Sequence, residues 1–520
     1  MKLNFDYIVI GAGSAGCVLA ARLTEDPDVT VALIEAGGRD TAPEIGLPIA
    51  FPQLFKTEFD WDFATEPEPA LNGRRVYLPR GKGLGGSSSI NAMVYIRGNR
   101  ADFDDWSRRG AAGWSFEEML PYFIKSEANE IHRGGLHGKD GPLNVANSRS
   151  MHPLVDRLVQ AGVEAGFPRN DDFNGEQQFG VGRYQVTQRN GTRWSAASAY
   201  LHPASSRSNL HVFTNALVRG IEFDGKHARR VLVSQHGEEL TLLAEREIVL
   251  SAGAYGSPQI LMLSGVGPAD SLGALGIKSI VDLPVGENLQ DHPFVVLNYL
   301  TNEESLLTAA SEEGFRLFSQ EQRGPLTSNV AEGGGFIASR PGLDAPDIQI
   351  TMGAVVFADE GLTAPSAHGY GLGPSLLKPT SRGKVALRSA RPDAKPRIFC
   401  NLLTTPEDKA AMISGLRACL EIARQPSLKA VQRAVQSEPV SDRDADIWAY
   451  IQQHAGVIYH PTSTCSMGRV VDCLLNVQGV HGLRVVDASV MPSVVRGNTN
   501  AAVIAIAEKA ADIMTGRATR

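Results

Sequence analysis

Asp6-Tyr7-Ile8-Val9-Ile10-Gly11-Ala12-Gly13-Ser14-Ala15-Gly16 is an apolar run that ends in a Gly-x-Gly-x-x-Gly turn, and Cys17 to Leu23 then carry a helical pattern. Strand, glycine turn and helix in that order form the opening of a βαβ unit that cradles a dinucleotide. Gly11 permits the tight turn, Gly13 lets the backbone approach a pyrophosphate, and Gly16 lets helix and strand pack closely. The helix N-terminus, where Ser14 and Ala15 stand, supplies donors and a positive dipole end. A second strand, Val29 to Ile34, ends at Glu35-Ala36, where a carboxylate can accept from ribose hydroxyls. An acidic group there disfavours a 2′-phosphate, so FAD or NAD is expected rather than NADP.

Working outward, 520 residues that are 43% hydrophobic and 21% charged leave room for two or more domains with full cores. A net charge of -7 and a pI near 6.0 argue against a nucleic-acid surface, and no long single-sign run marks a polyelectrolyte arm. Small-molecule chemistry fits better. The five cysteines, Cys17, Cys400, Cys419, Cys465 and Cys473, are odd in number and scattered, which suits reduced thiols in a cytoplasmic protein. They have no Cys-x-x-Cys spacing, so no metal site is expected. Lys2 before an apolar stretch with small residues imitates a signal peptide. The glycine fingerprint accounts for the same residues, so no export signal is expected, and no apolar run is long enough to span a bilayer.

The rest of the chain reads as α/β with interruptions. Residues 41–72 are rich in Pro and aromatics and read as a long ordered loop of the kind that covers a ligand. Gly81 to Met93, with Gly83, Gly86, Ser87, Asn91 and Ala92, is glycine-rich and reads as the opening of a helix, its small residues allowing close approach to a flat or phosphorylated ligand. Leu210 to Thr214, Leu217 to Phe223, Arg230 to Ser234 and Leu240 to Ala244 read as a meander of short strands, and Glu247 to Gly253 as a buried strand leading into a helix. Residues 298–444 lack such turns and contain a helical stretch at Glu407 to Gln425. Leu483 to Val486, then Asp487-Ala488, then an apolar helix from Asn500 to Met514 return to the earlier style. The division expected is a discontinuous cofactor domain, 1–150, 205–297 and 445–520, and a substrate domain, 151–204 and 298–444. No internal repeat is present.

His460 is the first candidate for chemistry. Pro461 pushes its backbone toward an extended conformation and limits where the imidazole points. A fixed histidine of near-neutral pKa can take a hydroxyl proton while the carbon-bound hydrogen leaves as hydride to a flavin N5; the plainer alternative is a structural histidine beside a turn. Asn498, in Gly497-Asn498-Thr499-Asn500, reads either as a helix N-cap or as a hydrogen-bond donor to the substrate oxygen opposite His460, and the two roles can fall on different asparagines. The helix start that follows would stabilise negative charge on flavin N1 and O2. Asp487 reads as a sheet-edge ligand contact or a strand-ending turn.

The Gly81 to Asn91 segment, the Gly253 to Gly267 segment, the His460-Pro461 box and the Asn498-Thr499-Asn500 box together resemble the glucose-methanol-choline oxidoreductase family, nearest its bacterial choline-dehydrogenase-like branch. The likeness in motif order covers nearly the whole chain. It implies FAD, a two-domain fold similar to p-hydroxybenzoate hydroxylase with an antiparallel sheet in the substrate half, and oxidation of a primary alcohol to an aldehyde. It implies His460 as the catalytic histidine, Asn498 as the second active-site residue, and FAD contacts from Gly11, Gly13, Gly16, Glu35, Gly86, Asn91, Val218 and Asp487. Ser14, Ala15, Ala36, Gly83, Ser87, Ala92, Met93, Val94, Ala488, Asn498 and Thr499 are assigned to the same contacts.

Two departures refine this. Members that tether FAD covalently carry a histidine just before the asparagine, and Ile90 stands here, so the flavin is expected to be noncovalent. Choline-oxidising members carry a glutamate after the Asp-His-Pro box, and Phe294 follows Asp291-His292-Pro293, which disfavours choline. An uncharged aliphatic or aromatic alcohol is expected, in a pocket of Phe294, Ile458, Tyr459 and Ala92, with Val355 and Phe357 placed there from position alone. A quinone or other acceptor would take the electrons. An oxidase making hydrogen peroxide, a choline dehydrogenase and a non-redox FAD-containing lyase stay open. The apolar stretch from Thr41 to Phe59 reads as a lid over the cofactor or as a peripheral contact with the inner face of the cytoplasmic membrane.

Overall fold

The computed structural model describes residues 3–517, so Lys2 lies outside the described residues. Two sheets organise the chain. The first has the spatial order Leu210–Phe213, Val31–Ile34, Asn4–Ile10, Glu238–Leu250, His227–Gln235, Ala216–Asp224, with Leu483–Val485 also paired to Glu238–Leu250. Its centre is parallel: Ile8 sits opposite Ala32 on one side and Ile248 on the other. Ile8 to Ile10 and Val31 to Ile34 are buried throughout, the unbroken apolar pattern required of strands covered on both faces.

Two of the expected strands are one. Glu238–Leu250 runs antiparallel to His227–Gln235 over its first half and parallel to Asn4–Ile10 and Leu483–Val485 over its second. Exposed Glu245 and Arg246, which read as a break, lie where the strand passes between these pairings. Leu210–Phe213 also departs from the expected meander, because it pairs in parallel with Val31–Ile34 at the far edge of the sheet. The two ends of the chain are fastened on this sheet: Arg22 of helix Ser14–Leu23 pairs at 2.8 Å with fully buried Glu508 of helix Asn500–Met514.

The second sheet has the order Gln432–Ser437, Leu297–Thr301, Gly369–Leu376, Ile348–Gly353, Gly333–Ile337, Gly180–Arg183, with every pairing antiparallel. Short strands Pro293–Phe294 and Gly456–Val457 join it beside Ser375. Helix Pro406–Ala423 packs so closely on it that a Cβ on Gly415 would lie 2.9 Å from Pro374 Cβ. The α/β expectation, a discontinuous Rossmann-like half joined to a half built on an antiparallel sheet, describes the chain. Residues 197–204, placed by sequence in the substrate half, pack instead on helix Ser14–Leu23.

Gly81 to Met93 does not open a helix. It holds one short 3₁₀ turn, Gly86–Ser89, because Gly83, Gly85, Gly86 and Met93 take φ of 145°, 84°, 52° and 57°, in the left-handed region that ends helices. The five cysteines are free thiols. Among the described residues no helix is long and apolar enough to cross a membrane, and no three His, Cys, Asp or Glu side chains are grouped to hold a metal.

Candidate active site

Between the two sheets lies a cavity of about 560 Å³. Gly11, Gly13, Ser14, Ala15, Glu35, Ala36, Gly86, Ser87, Asn91, Ala92, Met93, Val94, Val218, Asp487, Ala488, Asn498 and Thr499 all border it, as do Phe294, Ile458, Tyr459 and His460. Gly16 and Gly83 do not, and their work is structural. A Cβ on Gly16 would stand 1.8 Å from the Gly11 carbonyl oxygen, and the Gly83 amide donates to Glu35 Oε1 at 3.0 Å.

The cradle end is built from backbone. A Cβ on Gly86 would lie 2.7 Å from Gly13 Cα, so the two glycine segments touch where they meet the cavity. Glu35 clamps them: Oε2 accepts from the Ala12 amide at 2.9 Å, and Oε1 accepts from the Gly37 and Gly83 amides at 2.9 and 3.0 Å. Burial raises its pKa against the pull of these amides. Asp487 also does more than end a strand. It accepts from the Gly253 amide (2.9 Å), the Ser257 hydroxyl (2.5 Å), and the Ser489 amide and hydroxyl (2.8 and 2.5 Å).

Two helices, Ser14–Leu23 and Asn500–Met514, start at the cavity, and neither has a side-chain cap on its first-turn amides. Ser14 Oγ donates to Asn500 Oδ1 at 2.6 Å and ties the two starts together. Uncapped helix starts, a cradle in which Gly11, Gly13 and Gly86 expose backbone, and Lys82 at the wall fit the pyrophosphate of FAD.

At the other end stands His460, buried to 9% exposure. Its amide donates to Asp291 Oδ1 at 2.7 Å, its Nδ1 lies 2.9 Å from Nδ1 of His292, and its Nε2 lies 3.3 Å from Nδ2 of Asn498. Burial first, then His292 and Arg80, push its pKa well below that of an ordinary histidine, so the imidazole is neutral at neutral pH. Tyr459, just before it, takes φ of +65°, a strained conformation for a bulky residue. The surroundings hold it there: its carbonyl accepts from Arg80 Nη1 at 2.6 Å while Arg80 Nη2 donates to Ser87 Oγ at 2.6 Å.

The capping alternative for Asn498 gives way. The residue preceding the helix is Thr499, with no side-chain cap bond, and the Asn498 amide is directed at His460 instead. Phe294, Val296, Val330, Val355, Phe357 and Ile458 wall this end. Over it lie Phe51 and Phe55, which also border the cavity and pack with Ile45, Leu54, Tyr77 and Ile90. Ile45, Leu47, Ile49, Phe51, Leu54, Phe55 and Phe59 are thus buried or half-buried.

Two residues escaped the sequence reading. His292 touches His460, but its Asp-His-Pro box was read only for the residue that follows. Arg80 joins the His460 segment to the glycine segment, and a lone arginine before a glycine run carries no local signal.

Two family models described as GMC oxidoreductase match residues 5–294 and 379–507. An "Alcohol dehydrogenase [acceptor]" of Pseudomonas putida is 43% identical over 98% of this chain and 95% of its own length. "Choline dehydrogenase, mitochondrial" of Mus musculus is 42% identical over 99% and 90%. Among solved structures, pyridoxine 4-oxidase from "Mesorbium loti" superposes with a TM-score of 0.90 at 32% identity, covering 99% of this chain and 100% of that one. The fold, the cradle and these matches agree, and the chain belongs to the GMC oxidoreductases.

Proposed function

We propose that this protein oxidises a primary alcohol to the aldehyde with noncovalent FAD, His460 taking the hydroxyl proton, and passes the electrons to a quinone or another external acceptor. The observation that carries the reading is the buried His460 imidazole, with Nε2 beside Asn498 Nδ2 at 3.3 Å, in the same cavity as the dinucleotide cradle. The cradle residues Gly11, Gly13, Ser14, Ala15, Gly86 and Ser87 would hold FAD, which when bound supplies the two-electron oxidant. His460 is the general base. Asn498 donates to the substrate oxygen and holds it against His460. His292 accepts from His460 Nδ1 and so steadies the imidazolium that forms when the proton arrives. The start of helix Asn500–Met514 adds a positive field at the same place.

The apolar wall of Phe294, Val296, Val355, Phe357 and Ile458 favours an uncharged alcohol over choline. Ile90, in an apolar cluster, offers no nucleophile to the flavin, and acid precipitation is expected to release free FAD. Similarity to an alcohol dehydrogenase and a choline dehydrogenase supports an alcohol substrate; similarity to a pyridoxine 4-oxidase keeps oxygen as the second acceptor. The test is anaerobic bleaching of the flavin by a panel of primary alcohols including choline, followed by air. Bleaching by uncharged alcohols with slow recovery in air is the expected result. Fast recovery with peroxide replaces the dehydrogenase reading by an oxidase, and absence of bleaching by every alcohol overturns alcohol oxidation.

A further inference from the structure

We infer that Gln349 is a positioning residue that decides which face of the Asn498 amide meets His460, and so holds His460 in the tautomer that can accept a proton. One hydroxyl proton, that of Tyr184, decides the orientation. Tyr184 Oη donates to the Ile350 carbonyl at 2.6 Å and accepts from the Gly335 amide at 3.0 Å. Its single hydrogen is thereby used, and toward Gln349, 3.3 Å away, it can only accept. Gln349 must therefore turn Nε2, not Oε1, to Tyr184. Both side chains are buried in the substrate sheet, at 1% and 2% exposure, so backbone groups of that sheet fix the amide.

The same Nε2 reaches Asn498 Oδ1 at 3.2 Å. With Oδ1 occupied, Asn498 presents Nδ2 to His460 Nε2, and two donors cannot face each other at 3.3 Å. His460 Nε2 thus carries the lone pair, its proton sits on Nδ1, and Nδ1 donates to His292 Nδ1 at 2.9 Å. Gln349 Oε1 is left buried without a partner. That orphaned acceptor indicates that the orientation is imposed by Tyr184 and not by the needs of Gln349 itself. Turned the other way, Asn498 would offer Oδ1 to His460 and favour a proton on Nε2, the form that has no lone pair facing the cavity.

The inference rests on His460 acting as the base, yet it is read without any substrate. In Gln349→Glu the side chain, when ionised, can only accept from Asn498, which turns Oδ1 toward His460. Gln349→Met removes the constraint at similar volume. The experiment is ¹⁵N NMR of the histidine rings in the FAD-loaded protein, with His460 identified by the spectrum of His460→Ala. The expected result is an Nδ1–H tautomer in the wild type, an Nε2–H tautomer in Gln349→Glu and a mixture in Gln349→Met. Flavin reduction should slow by about 100-fold and about 10-fold in the two variants, with KM little changed. A wild-type Nε2–H tautomer, or Nδ1–H retained unmixed in Gln349→Met with FAD bound, overturns the inference, and the second result decides alone if Gln349→Glu does not fold. Tautomers as expected in a protein that no alcohol reduces would instead leave the positioning role standing and refute the alcohol reading.

Discussion

Replacing His292 by leucine removes the acceptor behind His460 without touching the cavity, since His292 is fully buried and does not border it. The Nδ1 to Nδ1 separation of 2.9 Å is a hydrogen bond that becomes charge-assisted when His460 takes the proton. Burial pushes the pKa of His292 far down, so it stays neutral, and with its own ring proton on Nε2 its Nδ1 accepts from His460. Hydrogen bonds to charged groups contribute about 1.5–3 kcal/mol. At about 1.36 kcal/mol per tenfold, His292→Leu should slow flavin reduction by roughly 10- to 150-fold. Stopped-flow reduction under anaerobic conditions measures this, with KM and bound flavin expected to stay close to wild type. His292→Gln, whose Oε1 can accept, should recover part of the rate. The reasoning fails if His292→Leu with bound FAD reduces within about threefold of wild type, or if the loss falls on KM alone.

Asp291 supplies a pH prediction. Burial raises its pKa from 3.8 to about 7, against the His460 and His292 amides that it accepts. The folded protein therefore favours the protonated carboxyl, and this contribution is full below pH 4 and lost as pH rises through 7. At 1.36 kcal/mol per pH unit the loss is at most about 4 kcal/mol. Asp291→Asn keeps the Oδ1 acceptor and does not ionise, so its melting temperature relative to wild type should climb between pH 4 and 7; a flat difference contradicts the burial argument. Gly86→Ala should lose FAD, because φ is +52° and its Cβ would press to 2.7 Å from Gly13 Cα. A wild-type ratio of flavin to protein absorbance in the purified variant would refute that close approach.

Legibility followed the range of the physics. The strand, turn and helix of Asn4–Ile10 and Ser14–Leu23 were readable because glycine spacing and apolar pattern are local. Helices Pro406–Ala423 and Asn500–Met514 were readable for the same reason. Leu210–Phe213 was recognisable as a strand, but its parallel partner Val31–Ile34 lies far away in sequence, and nothing in Leu-His-Val-Phe specifies that pairing. Glu238–Leu250 was split because Glu245-Arg246 looks like a turn until both neighbouring strands are present. The glycines of Gly81 to Met93 were read for their small size, whereas their positive φ is what rules out a helix. In the site, His460 and Asn498 stood out through their boxes. His292 did not, because its meaning lies in a contact with a residue 168 positions later. Gln349 has no motif at all: its role depends on how many protons a tyrosine has to give.

The central claim is that His460 is the base. Anaerobic reduction of bound FAD by the best alcohol of the panel, compared between wild type and His460→Ala, tests it most directly. The account predicts a yellow variant with FAD bound and a reduction rate lower by about 10²- to 10⁴-fold, recovering in part as pH rises and hydroxide replaces the lost base. A variant that keeps its flavin and reduces at the wild-type rate would contradict it.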